Sequence, residues 1–176
     1  MKRLGSLVLP VALLLAACSK GGGESAASAD TFEGLLKQGQ EAHAQGQYSK
    51  ALEIYQKALE KQPGSAVAYN LIGMAYRFQY NMALDASLKK KEIAAFQKAI
   101  ELQPDFVVAL VNLGATHYYQ GQKKEAAVYF QRALEKVPNH PEAAELKKMI
   151  AEGEGEPAPA QPTADPPAPP PPEPKK

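Results

Sequence analysis

Apolar residues return along the middle of the chain at helical spacing, and the whole pattern then repeats. Within 51–59, Ala51, Ile54, Tyr55, Ala58 and Leu59 fall on one face of a 3.6-residue helix. The pattern recurs in 93–100 and 126–134. Each of these three segments runs toward a proline (Pro63, Pro104, Pro138), which continues a helix poorly. Gly46 and Gly121 mark turns inside the first and third helix pairs. Gly39, Gly73 and Gly114 stand 34 and then 41 residues apart. Three other sets stand 41 and then 34 apart: Tyr55, Phe96, Phe130; Ala58, Ala99, Ala133; and the prolines. A period near 34 with these residue types predicts an all-α helix–turn–helix solenoid, whose units bury their apolar faces against one another.

The glycines and alanines in this register are packing residues. Two helices approach closely there, and a larger side chain would wedge them apart. The offsets also locate an irregularity, because seven extra residues lie between Tyr76 and Phe96. That is close to two helical turns, so both helices of the second pair can lengthen while drifting only about 20° in phase. The first is predicted to run to Met82 or Ala83, with Asp85 or Ser87 capping the second. Phe78, Tyr80, Met82, Leu84 and Leu88 lie in this stretch, ahead of Lys89-Lys90-Lys91. Two readings stand side by side. Phe78, Tyr80, Met82 and Leu84 form an apolar spur that docks a partner, or they pack on neighbouring helices above a solvated basic turn. After the third pair, residues 141–151 read as a capping helix. Pro141 suits its first turn, Ala143, Leu146, Met149 and Ile150 face inward, and Glu142, Glu145, Lys147 and Lys148 face water.

These units resemble the tetratricopeptide repeat. The third, from Val107 to Pro138, matches nearly every signature position, with Gly114 as the small residue of the first helix and Ala126, Phe130 and Ala133 on the second. The first matches through Leu35, Gly39, Gly46, Ala51, Tyr55, Ala58 and Pro63, with Ala42 where a tyrosine is usual. The second matches through Tyr69, Gly73, Tyr76, Phe96, Ala99 and Pro104, with Glu92 where alanine is usual. The resemblance implies three repeats, at about 32–65, 66–106 and 107–140, in a domain spanning 31–151. It also implies that first helices line a concave groove. The groove residues would then be Leu36, Gln40 and His43; Asn70, Met74 and Arg77; and Val108, Val111, Ala115, Tyr118 and Tyr119. Such a surface, apolar and aromatic with Asn70 and Arg77 at its middle, suits a peptide or short helix, with Arg77 and Tyr118 as expected anchors. Leu36 and Gln40 stand where a lysine–asparagine clamp for a C-terminal carboxylate would begin, so that specificity is not expected.

The ends read differently. Met1-Lys2-Arg3, an apolar run of roughly 14 residues and a small-residue close describe a signal peptide over 1–17, shorter than the ~20 residues of a membrane span. Leu15-Ala16-Ala17-Cys18 resembles the lipobox of bacterial lipoproteins, which implies cleavage before Cys18 and lipidation of its sulfur and new amino terminus. Cys18 is the only cysteine, so no disulfide framework is expected. Ser19 resembles the sorting signal for the outer membrane, which places the protein in the cell envelope facing the periplasm. Residues 18–30 read as a flexible leash. From Glu152 to Lys176 the chain is Pro-, Ala- and Glu-rich and is expected to be disordered with polyproline II character, reaching on the order of 80 Å when extended.

A formal net charge of +1 provides no basic footprint for nucleic acid. His43, His117 and His140 have no metal-ligand spacing, and neither a phosphate-cradling loop nor a nucleophile elbow occurs. No enzymatic activity, cofactor, metal or small-molecule substrate is expected. The sequence thus points to an envelope scaffold or assembly factor, tethered to the membrane by lipid, that binds an unidentified envelope protein. The alternative is a structural tether whose Pro-rich tail contacts or spans the cell wall.

Overall fold

The computed structural model describes residues 29–155. The expected signal peptide, the expected lipidation site at Cys18, most of the expected leash and the chain beyond Gly155 lie outside the described residues. Among the described residues there are seven helices and no strand: α1 (Phe32–Ala44), α2 (Tyr48–Lys61), α3 (Ala66–Ala83), α4 (Ala86–Leu102), α5 (Val107–Tyr119), α6 (Lys123–Lys136) and α7 (Ala143–Glu154). They pack as consecutive pairs, α1 on α2, α3 on α4 and α5 on α6, with α7 laid against α6. The all-α solenoid of three helix pairs and a cap is therefore the fold. None of these helices is long and apolar enough to cross a membrane.

Local chemistry accounts for the boundaries. The side chains of Thr31, Ser65 and Asp85 each accept a hydrogen bond from a first-turn amide, at 3.1, 3.1 and 2.8 Å, supplying partners that the helix itself cannot. Of the two expected caps, Asp85 and Ser87, Asp85 is the one used, and α3 ends at Ala83, one of the two expected positions. Gly46 and Gly121 turn the chain at φ +74° and +80°, left-handed values that glycine adopts without steric cost. The equivalent turn of the second pair is made by Leu84 at φ +53°. Its side chain is 74% exposed, so the turn gains little burial from the leucine. The capping helix extends three residues beyond its predicted end at 151, because Gly153 lets its last turn lie against the Lys123 carbonyl, where a Cβ would collide.

One contact, made three times, holds the pairs together. Gly39 faces the ring of Tyr55, Gly73 that of Phe96 and Gly114 that of Phe130. A Cβ on Gly73 would sit 2.5 Å from Phe96 Cε1, and one on Gly114 2.6 Å from Phe130 Cε1, closer than real carbon atoms pack. All three rings are fully buried. Glycine and aromatic are 16 residues apart in the first and third pairs and 23 in the second, so the insertion lengthens the hairpin without disturbing its contact.

The first of the three rings differs by a hydroxyl. Tyr55 Oη is buried without a hydrogen-bond partner, and burial pushes its pKa up to about 12. An unpaired buried hydroxyl costs about 1–3 kcal/mol, so Tyr55→Phe, which installs the ring type of the other two repeats, is expected to raise stability by about 1 kcal/mol. Urea denaturation of the two proteins measures it, and a loss of stability would show that the hydroxyl has a partner in solution.

Candidate functional site

α1, α3 and α5 lie side by side, and the positions expected to line their shared face follow the repeat offset: 36, 40 and 43; 70, 74 and 77; 111, 115 and 118. The structure divides them. Gln40 is exposed, and Tyr119 is 80% exposed. Leu36, Met74, Val111 and Ala115 are half-buried against the cores between the pairs. Asn70 is buried, and its Oδ1 accepts a 3.0 Å hydrogen bond from Asn112 Nδ2 across the α3–α5 boundary. Val67 and Val108, equivalent positions on α3 and α5, remain exposed at 43% and 50%.

Arg77 and Tyr118, the two expected anchors, are already engaged within the molecule. Arg77 donates from Nε to Glu92 Oε1 at 2.9 Å, from Nη1 to Asn112 Oδ1 at 3.0 Å, and from Nη2 to the Asn112 carbonyl at 2.7 Å and Thr116 Oγ1 at 2.9 Å. Its guanidinium lies 4.9 Å above the Phe96 ring centroid, and the side chain is 24% exposed. Tyr118 donates its hydroxyl to Glu152 of α7 at 2.6 Å and packs in the cluster around Phe130 and Leu146. That bond to a carboxylate raises the tyrosine's pKa to about 12 and lowers that of Glu152. The physical reason is the same in both cases: each points toward a neighbouring element that offers a carboxylate, and the capping helix covers Tyr118.

Glu92 is the centre of this arrangement. It is fully buried, accepting from Arg77 and Thr116 on Oε1, at 2.9 and 2.7 Å, and from Lys89 on Oε2 at 2.6 Å. Two cations thus meet one carboxylate, leaving a local excess of positive charge. The signal in the sequence was Glu92 itself, a carboxylate at a packing position where alanine is usual. Asn112, Thr116 and Lys89 carried no comparable signal, since their roles depend on where α5 and the start of α4 meet α3.

Beside this network lies a cleft of about 360 Å³, lined by Arg77, Tyr80, Asn81, Lys89, Glu92, Ala115, Thr116, Tyr119 and Gln120. Its outer wall exists because of the insertion, which supplies Tyr80, Asn81 and Lys89. The face of the first helices and the spur therefore meet here instead of forming two separate sites. The rest of the spur divides again. Phe78 stacks on Tyr48 at 5.2 Å and meets His43 edge-on at 4.9 Å, the Tyr80 ring holds Lys89 Nζ at 4.1 Å, and Met82 and Leu84 project at 76% and 74% exposure.

His43 therefore serves as a junction among α1, α2 and α3. Its ring also lies 5.1 Å from Tyr48, Nε2 is buried without a partner, and burial lowers its pKa. The folded state thus binds the proton less readily than the unfolded chain, whose His pKa is about 6.5, and stability falls as pH drops below that value. Thermal melting between pH 7.5 and 5.5 is expected to show a smaller drop for His43→Phe than for the parent. Equal drops would place the titration elsewhere. Among the described residues no three His, Cys, Asp or Glu side chains are grouped to hold a metal ion.

Residues 32–65 and 107–140 each match the tetratricopeptide repeat family profile, and these segments are the first and third helix pairs. The chain carries tetratricopeptide repeats and folds as their solenoid. MamA is 27% identical, with 73% of this chain aligned to 71% of that one at a TM-score of 0.58. The first such domain of Spaghetti (RPAP3), bound to an HSP90 peptide, is 24% identical over 69% of this chain and 94% of its own, TM-score 0.60. The Yersinia enterocolitica type III secretion chaperone SycD, in complex with a peptide of the translocator YopD, is 15% identical over 74% and 97%, TM-score 0.61. Likeness to the last two concerns the fold alone. No protein of curated function matches the sequence.

Proposed function

We propose that this protein is a lipid-anchored interaction scaffold of the bacterial cell envelope, holding an extended segment or helix of a partner protein on the face made by α1, α3 and α5. One observation carries the reading. That face keeps Val67 and Val108 exposed at one end and Tyr119 at the other, while its central polar groups bond to each other. A strip with apolar and aromatic ends and a satisfied polar middle favours contact by apolar burial and tyrosine packing. The fold shared with domains solved around peptides of HSP90 and YopD supports the same use. The anchor rests on the lipobox resemblance at Cys18, and the outer-membrane, periplasm-facing position on Ser19.

Photo-crosslinking in cells tests the reading. A crosslinker at 108 or 119 is expected to trap one discrete protein adduct, and one at the exposed outer position Lys57 is not. Val108→Asp and Tyr119→Ala each weaken capture of that partner by at least about 10-fold, the effect of losing ~1.4 kcal/mol, with melting unchanged because both side chains are exposed. Adducts arising only from positions in 156–176 would transfer the function to the tail and favour the tether. Cys18→Ala is expected to move the protein from the membrane to the soluble periplasmic fraction, and full retention in the membrane would remove the anchor.

A further inference from the structure

We infer that the cleft between α3, α4 and α5 is the docking site for the protein's own Pro-rich C-terminal segment, with Asp165 reaching the cationic floor and the adjoining Pro166-Pro167 lying on Tyr119. The inference rests on the cleft and on the chain's continuation. Tyr119 belongs both to this cleft and to the proposed partner face, so a partner that uses Tyr119 would have to displace the tail, and the spin-label test is read on the protein without a partner.

The floor has unused donors. A guanidinium carries five N–H groups and an ammonium three. Arg77 commits four of its own, and Lys89 bonds Glu92 while its Nζ lies over the Tyr80 ring, which leaves one further donor on Arg77 Nη1 and at least one on Lys89 Nζ at a place where two cations face one buried carboxylate. An incoming carboxylate would complete the charge balance. The mouth offers a different chemistry. Tyr119, 80% exposed, stands edge-on to Tyr118 at 5.6 Å and lines the cleft together with Tyr80, Asn81 and Gln120. Exposed aromatic faces beside amide groups are how proline-rich segments are held, because proline lies flat on a ring and its chain carbonyls accept hydrogen bonds from the amides.

The chain's own continuation fits both. Ten of the fifteen prolines fall in 157–174. Among the acidic residues beyond Gly155, Glu156 follows closely on α7 in sequence, and Glu173 is neighboured by Lys175 and Lys176. Asp165 has no cation nearby in sequence and is followed directly by Pro166-Pro167. The segment also starts in the right place. Gly153 lies against the Lys123 carbonyl at the start of α6, and Glu152 bonds to Tyr118 and pairs with Lys123 at 3.4 Å. The chain therefore leaves α7 beside the turn that bears Tyr119 and Gln120. Asp165 lies ten positions beyond Gly155, and at about 3.1 Å per residue that stretch can reach roughly 30 Å. Tethering raises the effective concentration to the millimolar range, so even a weak contact is populated.

Paramagnetic relaxation in the full chain tests this directly. A spin label is placed on Ala168→Cys in a Cys18→Ser background, and amide signals are read at a single low concentration and again after dilution. The expected result is loss of signal concentrated at Tyr80, Asn81, Tyr119 and Gln120, independent of concentration. Tyr119→Ala and Asp165→Lys should each restore those signals with the helical content of the parent in circular dichroism, Tyr119 being 80% exposed. Broadening that merely declines with distance from Gly155 and is unchanged in both variants would overturn the inference. Broadening that fades on dilution would also overturn it, because the occupant would then be the tail of a second copy.

Discussion

Arg77→Ala is expected to destabilise the domain by about 3–5 kcal/mol, the range for breaking a buried ion pair by removing one partner. The substitution leaves Glu92, fully buried, with Thr116 and Lys89 as its remaining donors, and it uncovers the ring of Phe96 beneath the guanidinium. For a domain whose total stability is about 5–15 kcal/mol, this is a large share. As a concave-face arginine awaiting a ligand, Arg77 would be removable with little effect on melting; its four internal hydrogen bonds reverse that expectation. A companion variant separates charge pairing from packing. Arg77→Met with Glu92→Leu replaces the pair by apolar groups of similar length, and such replacements are neutral or stabilising. Thr116 can still donate to the Asn112 carbonyl at 3.0 Å, and half-buried Asn112 and Lys89 can turn to water. The double variant is therefore expected to recover most of the loss in urea denaturation. If Arg77→Ala alone melts with the parent, the network is not holding α3, α4 and α5 together.

Gly114→Leu is expected to be comparably damaging for a different reason. A Cβ at 114 would lie 2.6 and 2.8 Å from two carbons of Phe130, which is fully buried with no room to retreat. Overpacking of this kind costs about 1–3 kcal/mol, occasionally more, and a whole leucine belongs at or above the top of that range. In a solenoid each pair leans only on its neighbours, so the damage should be local. Hydrogen exchange is expected to accelerate across α5, α6 and α7 and to remain slow in α1 and α2. Adding Phe130→Ala gives the leucine the space the ring had occupied, so the double variant should be more stable than the sum of the single effects requires. Strict additivity would mean that the two residues do not meet.

Much of this could be read along the chain because repetition turns a three-dimensional contact into a one-dimensional offset. A glycine must stand opposite an aromatic in every pair, so Gly39 with Tyr55 and Gly114 with Phe130 repeat at the same separation, and the wider spacing of Gly73 and Phe96 reveals both the presence and length of the insertion. Asp85 as a cap and the end of α3 at Ala83 followed from turn and cap chemistry, which acts within a few residues. The same local logic placed Leu146, Met149 and Ile150 on the inner side of the capping helix.

The candidate site was legible only as a set of positions. Offset arithmetic brings 36, 70 and 111 onto one face, yet says nothing about which of their neighbours are already occupied. Whether Arg77 is a free hook or an internal strut depends on Glu92, fifteen residues away, and on Asn112 and Thr116, thirty-five and thirty-nine away. Tyr118 is likewise taken by Glu152, a residue that sequence composition assigns to the tail but that tertiary packing makes the end of α7. The sequence by itself determined the all-α repeat architecture, its register and the length of its irregular hairpin, because helical periodicity, capping and close glycine contacts are short-range constraints repeated three times. Only the tertiary structure decided how the charges are used and where a cleft opens, because electrostatic partnership and concavity depend on distances between helices, and no periodicity along the chain encodes those.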